Sequence, residues 1–202
     1  MNSILLTGYE PFDGYSINPS EELVKHLNGT TVAGFKIVGK VLPLDYSEAS
    51  NLLEKAIDQY KPKYVLCCGQ ANRSAITLEQ VGLNVINTKR EDNYGNKPES
   101  YKILPGAPAA YFSTIDTHPL VDAIKAKGIP ADVSYNAGTY GCNWILFTVL
   151  HWIATQKVNT DAMFIHVPPL PEQAIEKDTM TLATMPLGII ADAISTIIQN
   201  LE

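Results

Sequence analysis

The chain has 202 residues, 46% of them hydrophobic and 18% charged, which is enough apolar material for a packed core and too few charges for a disordered chain. Fifteen Lys and Arg against 21 Asp and Glu give a formal charge of −6. Without a basic cluster to meet phosphates, that balance speaks against nucleic acid or an anionic membrane as partner.

The first residues carry no basic stretch, and their apolar run is only Ile4-Leu5-Leu6, so no secretory signal is expected. The longest greasy stretch, Trp144 to Ala154, is interrupted by His151 and falls well short of the roughly 20 residues that span a bilayer. Of the three cysteines, Cys67 and Cys68 are adjacent and Cys142 stands apart, which is no disulfide framework. The expectation is one domain over residues 1–202 in a reducing, cytoplasmic compartment.

Ser3 to Thr7, stopped by Gly8, predicts a buried strand. Asn18-Pro19-Ser20-Glu21 predicts a helix start, with Asn as the cap and Pro in the first helical position. A β-branched stretch from Thr31 to Leu42 predicts one strand. Asp45-Tyr46-Ser47-Glu48 repeats the capping pattern, and Ala49, Leu52, Leu53, Ala56 and Ile57 follow at helical spacing. Strands are expected at Tyr64–Cys68 and Thr77–Ile86, then a long connection, Asn87 to Pro108, rich in Asn, Gly and Pro. A helix near Pro119–Lys127, a strand near Asp132–Tyr135, a helix from Cys142 to Gln156, a strand over Ala162–His166 and a helix from Thr184 to Gln199 complete the order. Such alternation predicts a three-layer α/β/α sandwich with a largely parallel, mixed central sheet. Ligands in these folds sit beyond the carboxyl ends of the strands, which directs attention to Gly8–Gly14, Gly69–Ser74, Asn136–Cys142 and His166–Pro171.

Two of those segments carry reactive side chains. Cys142 follows a glycine-rich turn and opens a helix, where free N–H groups and the helix dipole are expected to lower the thiol pKa and to hold an oxyanion. His166 ends an apolar strand before Val167-Pro168-Pro169-Leu170-Pro171, a stiff mount for an acid–base group. A thiol–imidazole pair needs a third group to orient the ring, and sequence spacing leaves Glu79, Asp92 and Asp45 as alternatives. His26, His118 and His151 read as structural or exposed, Cys67 and Cys68 as core, and no zinc-ligand spacing occurs, so neither metal nor cofactor is expected.

Taken together the segments resemble one family. Thr7-Gly8-Tyr9-Glu10-Pro11-Phe12-Asp13-Gly14 with Asn18-Pro19-Ser20 is similar to the amino-terminal signature of the type I pyroglutamyl peptidases. Gly69-Gln70-Ala71 followed by Ile76, Glu79, Val81 and Asn84 resembles the family's glutamate motif, and Asp92-Asn93-Tyr94-Gly95-Asn96-Lys97-Pro98 its loop. Gly106 to Thr114, Ala137-Gly138-Thr139-Tyr140-Gly141-Cys142-Asn143 and His166-Val167-Pro168 complete the series in register. The resemblance implies a cysteine peptidase that removes an amino-terminal pyroglutamyl residue, with Cys142 as nucleophile, His166 as its partner and Glu79 as the group orienting the ring. It also implies Tyr9, Phe12 and Tyr140 as walls of a lactam pocket, the Gln70 backbone as its polar contact, and a homo-oligomer, tetramer or dimer. The chain departs from the family pattern in three places. Lys89 falls where an arginine is usual, with Arg90 one position later, so either cation is a candidate for oxyanion support; Asn72-Arg73 replaces a Gly-Gly-Arg stretch; and Gln80 replaces an arginine. Those departures motivate an alternative, a relative that binds pyroglutamyl peptides without efficient turnover.

Overall fold

The computed structural model describes residues 2–201. Its strands and helices follow chain order as β1 (Ser3–Tyr9), α1 (Pro19–Leu27), β2 (Thr31–Val32), β3 (Phe35–Leu42), α2 (Glu48–Tyr60), β4 (Tyr64–Gln70), β5 (Ile76–Glu79), β6 (Val81–Leu83) and β7 (Ala110–Phe112). They continue with α3 (Thr117–Ala126), β8 (Ala131–Ser134), α4 (Gly141–Gln156), β9 (Asp161–Val167), α5 (Pro171–Glu176) and α6 (Leu187–Gln199). Seven strands form one sheet in the order β2-β3-β1-β4-β9-β5-β8, while β6 and β7 make a separate antiparallel ribbon. The β3-β1-β4-β9 run and the β5–β8 pair are parallel, and β2–β3 and β5–β9 are antiparallel. The sheet is therefore mixed and largely parallel, as the alternation predicted.

Alternate residues of each central strand serve opposite cores, as the two-residue period of a strand requires. Ile4 and Leu6 of β1, Leu66 of β4 and Met163 and Ile165 of β9 pack with Leu23 of α1, Ile124 of α3 and Ile194 of α6. Leu5, Val65, Ala162 and Phe164 face the other way, against Leu53 of α2 and Ile145 and Val149 of α4. The molecule is thus three layers deep, with apolar contact on both faces of the sheet. His166 shares the face of Phe164, so it points toward the α2–α4 layer.

Local chemistry explains most element ends. Asn18 caps α1, its side chain accepting from the Ser20 N–H at 2.9 Å, and Pro19 takes the first helical position. Gly8 lets that helix end lie on β1, because a β-carbon there would stand 2.2 Å from the Ser20 carbonyl oxygen. At α2 the capping side chain is Asp45, which accepts from the N–H groups of Ser47 at 2.9 Å and Glu48 at 2.6 Å.

Several expectations required correction. The single strand expected over Thr31–Leu42 is a hairpin, folded at Ala33 and Gly34, which both have positive φ (49° and 83°). The strand expected over Thr77–Ile86 is broken at Gln80: β5 stays in the main sheet and β6 leaves it to pair with β7. Gly82 makes that departure feasible, since a β-carbon there would lie 2.9 Å from the Phe147 backbone nitrogen of α4. The last helix starts at Leu187 rather than Thr184, because Pro186 occupies its N-cap. Strand β7 and helix α5 were not expected at all.

Candidate active site

The reactive groups gather where β4, β5 and β9 meet the start of α4. Helix α4 begins after the positive-φ turn at Gly138 (81°), and its N-cap, Tyr140, makes no side-chain bond to the first turn, so the leading N–H groups stay uncapped. Three tethers fix this helix end. The Tyr9 hydroxyl donates to the Gly141 carbonyl at 2.8 Å, and the Tyr140 hydroxyl donates to the Glu91 carbonyl at 3.0 Å. Asn143, wholly buried, accepts from the Leu83 N–H at 2.8 Å and donates to the carbonyls of Leu83 (2.9 Å) and Val85 (2.8 Å). Removing that amide would strand backbone groups of Leu83 and Val85 at about 1–3 kcal/mol each.

The Cys142 sulfur lies against β4 at Gly69, where a β-carbon would stand 2.9 Å from Sγ and 2.8 Å from the Phe164 ring. Gly69 is the direct β-ladder partner of His166, so the sulfur and the imidazole occupy neighbouring side-chain positions on one face of the sheet. The Phe164 and His166 rings are 4.9 Å apart, which walls the imidazole on the β9 side. His166 is 4% exposed, and its Nδ1 lies 2.7 Å from Glu79 Oε1. Glu79 reaches it from β5 because the antiparallel β5–β9 pairing sets Thr77 opposite His166 and Glu79 two residues further along the same face.

This geometry resolves which carboxylate serves the ring. Asp92 Oδ1 accepts from the N–H groups of Tyr94 and Asn96, both at 2.9 Å, and Oδ2 accepts from the Asn96 side chain at 2.9 Å and the Tyr46 N–H at 3.2 Å. Asp45 caps α2. Glu79 alone of the three meets the imidazole. Because an ionised carboxylate only accepts, Nδ1 carries the proton and Nε2 keeps a free lone pair.

Burial opposes the charged form of Glu79, but its contact with His166, the Ser134 hydroxyl and the Arg73 charge outweigh it and hold the carboxyl below its usual range. Burial lowers the His166 pKa despite Glu79. The Cys142 thiol is pushed up to about 12, first by burial and then by the Glu79 charge, against the pull of Arg73 and of its own backbone N–H. That corrects the lowered thiol pKa expected from the helix terminus: desolvation exceeds the dipole here.

The remaining candidate residues take distinct places. Phe12 and Tyr140 line an open cleft of about 260 Å³ together with Asp13, Arg90, Glu91 and Asn93. Tyr9 is 3% exposed, beneath the start of α4. Gln70 ends β4, its side-chain oxygen accepting from Gln173 of α5 at 3.0 Å, and Gln173 also donates to the Ile17 carbonyl at 3.1 Å. Lys89 and Arg90 are both exposed, and Arg90 lies 3.6 Å from Asp13 across the cleft mouth. A further cation, Arg73, meets the Glu79–His166 pair, its Nη1 2.9 Å from Glu79 Oε1. The sequence had marked Gly69–Ser74 as a strand-end segment but gave Arg73 no partner. His151 meets the Tyr111 hydroxyl at 3.0 Å and stacks on Phe147. Among the described residues, no cluster of His, Cys, Asp or Glu is arranged to hold a metal ion, and no helix is long and apolar enough to cross a membrane.

A thiol, an imidazole and a buried carboxylate on a layered α/β frame define a class, the thiol-dependent hydrolases. Comparison with known proteins narrows it. The family described as pyroglutamyl peptidase matches residues 2–201, and this chain belongs to it. It is 45% identical over 175 residues to the pyrrolidone-carboxylate peptidase of Enterobacter sp. (strain 638), covering 86% of this chain and 81% of that one. It is 36% identical over 204 residues to the Bacillus cereus (strain Q1) protein of that name, covering 98% and 95%. Among solved structures, pyrrolidone carboxyl peptidase from Pyrococcus furiosus superposes with a TM-score of 0.93 at 38% identity, covering 98% of this chain and 96% of that one. Pyroglutamyl peptidase I from Bacillus amyloliquefaciens does so with a TM-score of 0.92 at 36% identity, covering 98% and 93%.

Proposed function

We propose that this chain hydrolyses the bond after an amino-terminal pyroglutamyl residue, with Cys142 as nucleophile, His166 as acid–base and Glu79 as the orienter of the ring. One observation carries the residue assignment: Cys142 Sγ sits over Gly69, the ladder partner of His166, whose Nδ1 is held 2.7 Å from buried Glu79. Family membership supplies the substrate class.

In this reading the pair starts neutral. As Sγ attacks the pyroglutamyl carbonyl carbon, the thiol proton passes to His166 Nε2, and Glu79 stabilises the imidazolium through Nδ1. The uncapped N–H groups at the start of α4 face the developing oxyanion. His166 then protonates the leaving amine, which leaves a thioester and a neutral imidazole. Water, losing its proton to Nε2, attacks the thioester; collapse expels the sulfur and releases pyroglutamate. The lactam is flat and uncharged, so aromatic walls at Phe12 and Tyr140 and backbone contact at Gln70 suit it better than an ionic pocket.

Three cysteines without a bridge favour a reducing, cytoplasmic setting. The family resemblance leads to the expectation of a homo-oligomer, dimer or tetramer, which light scattering would count. The central test is release of the fluorophore from a pyroglutamyl–fluorophore amide by the purified protein. Turnover that a thiol-blocking reagent abolishes is the expected result; no turnover with intact Cys142 would refute the assignment.

A further inference from the structure

We propose that Arg73 is a positioning residue for this reaction: its guanidinium supplies the permanent charge that keeps buried Glu79 ionised and aimed at His166, leaving the imidazole neutral and free to receive the Cys142 proton. The proposal rests on the roles given above to Cys142, His166 and Glu79.

Arg73 stands in the turn after β4, and its fork spans three elements. Nη1 is 2.9 Å from Glu79 Oε1, 2.5 Å from Thr77 Oγ1 and 3.3 Å from Ser134 Oγ, and Nη2 donates to the Asn136 carbonyl at 3.0 Å. It therefore ties β5 and β8 to the segment that leads into Cys142. Its side chain is about one-third exposed (34%), whereas Glu79 is fully buried (0%), so the guanidinium forms the outer wall of the carboxylate's enclosure.

Charge balance explains why a fixed cation is needed. A carboxylate removed from water stays ionised only beside a positive partner or within a full set of neutral donors, and Glu79 lacks such a set, its Oε2 meeting no donor among the described residues. His166 could be that partner only by carrying a proton permanently, and an imidazolium cannot act as the base for the thiol. Arg73 holds its charge at every accessible pH, so it separates the two duties. Oε1 gathers all of these bonds, from His166 at 2.7 Å, Arg73 at 2.9 Å and Thr77 at 3.3 Å. The other charged or titratable groups facing the pair are few. Helix α4 brings Cys142, and β1 brings Tyr9 behind the sulfur. Strand β8 and its following turn bring only the Ser134 hydroxyl and the Asn136 carbonyl, and β4 brings Gly69. The Arg73 charge acts on both reacting groups in the required sense, lowering His166 in concert with burial and lowering Cys142 against it.

The test is the pH profile of kcat/KM on a pyroglutamyl–fluorophore amide for the wild type, Arg73→Met, Arg73→Lys, Glu79→Gln and the Arg73→Met, Glu79→Gln double variant. Without the guanidinium, either Glu79 stays charged and raises His166, or Glu79 itself protonates at higher pH. Both routes move the acidic limb of Arg73→Met upward, by about one pH unit or more. Turnover, kcat, should fall about 10- to 100-fold with KM changed less than about threefold. Arg73→Lys should return the limb to its wild-type position, which a purely structural brace would not do. In the Glu79→Gln background, Arg73→Met should add less than about a threefold further loss. Should Arg73→Met fail to fold, recovery of folded protein in the double variant carries the same conclusion, because that variant lacks the uncompensated buried charge. An active Arg73→Met enzyme with an unmoved acidic limb would overturn the proposal, as would a misfolded Arg73→Met that Glu79→Gln does not rescue. A wild type without turnover, or activity that survives Cys142→Ser, would instead strike the underlying assignment.

Discussion

Two buried carboxylates in this molecule, Glu79 and Asp92, are satisfied in opposite ways. Asp92, 6% exposed, is enclosed by neutral donors: three backbone N–H groups and the Asn96 amide. Those donors hold its carboxyl below the usual range even against the cost of burial, and none of them can change charge. Glu79 is bound by one group that titrates and one that is always charged, His166 and Arg73. The first arrangement folds a turn and ties it to Tyr46 beside α2; the second stores a charge that a neighbouring imidazole can use. Burial and hydrogen bonding alone do not mark a functional carboxylate. The identity of its partners does.

That contrast can be broken by experiment, and the largest effect lies at the sulfur that the Glu79 corner serves. Cys142→Ala is expected to abolish thiol-dependent turnover, a loss of at least about three orders of magnitude, with thermal stability close to wild type. His166→Ala should lose a comparable amount of kcat, measured on the same fluorogenic amide. Glu79→Gln keeps the shape and one acceptor but not the charge, so about a 10- to 100-fold fall in kcat is expected with little loss of folded protein. Asp92→Asn should show the reverse pattern: about 1–3 kcal/mol less stability in denaturant unfolding, and kcat per folded molecule within about threefold of wild type. Swapped outcomes for those two variants would erase the distinction between the carboxylates. The smallest effect is in acid. Because the folded-state pKa of Asp92 is depressed, its stabilisation is full above the ordinary carboxyl value of about 4 and is lost as pH falls through the lowered native value. Asp92→Asn should flatten that part of the stability profile, read from unfolding midpoints between neutral and acid pH.

The same contrast shows how far a sequence can be read. Cys142 after a glycine-rich turn and His166 before a proline run were visible because strand ends and helix starts announce themselves in local residue types. The choice among Glu79, Asp92 and Asp45 was not visible from spacing, since it depends on β5 running antiparallel beside β9, a long-range pairing. Arg73 was hidden for the same reason: its partners lie on β5, β8 and the turn before α4. In the fold, Thr31–Leu42 reads as one strand straight through Gly34, because Ala33 beside it, also at positive φ, gives no warning of a hairpin. The strand expected through Ile86 ran across Gly82, whose close approach to α4 is visible only in the packed molecule. The direction of the thiol pKa differs for another reason: a helix terminus is legible in sequence, but the desolvation of a partly exposed sulfur beside the Glu79 charge arises only in the packed molecule.

A sulfur kept in its protonated form at rest has a consequence for survival in an oxidising burst. Peroxide attacks thiolates far faster than thiols, so a resting site of this kind resists conversion to sulfenic acid and the irreversible acids beyond it. Sensitivity to hydrogen peroxide should then rise steeply only at alkaline pH.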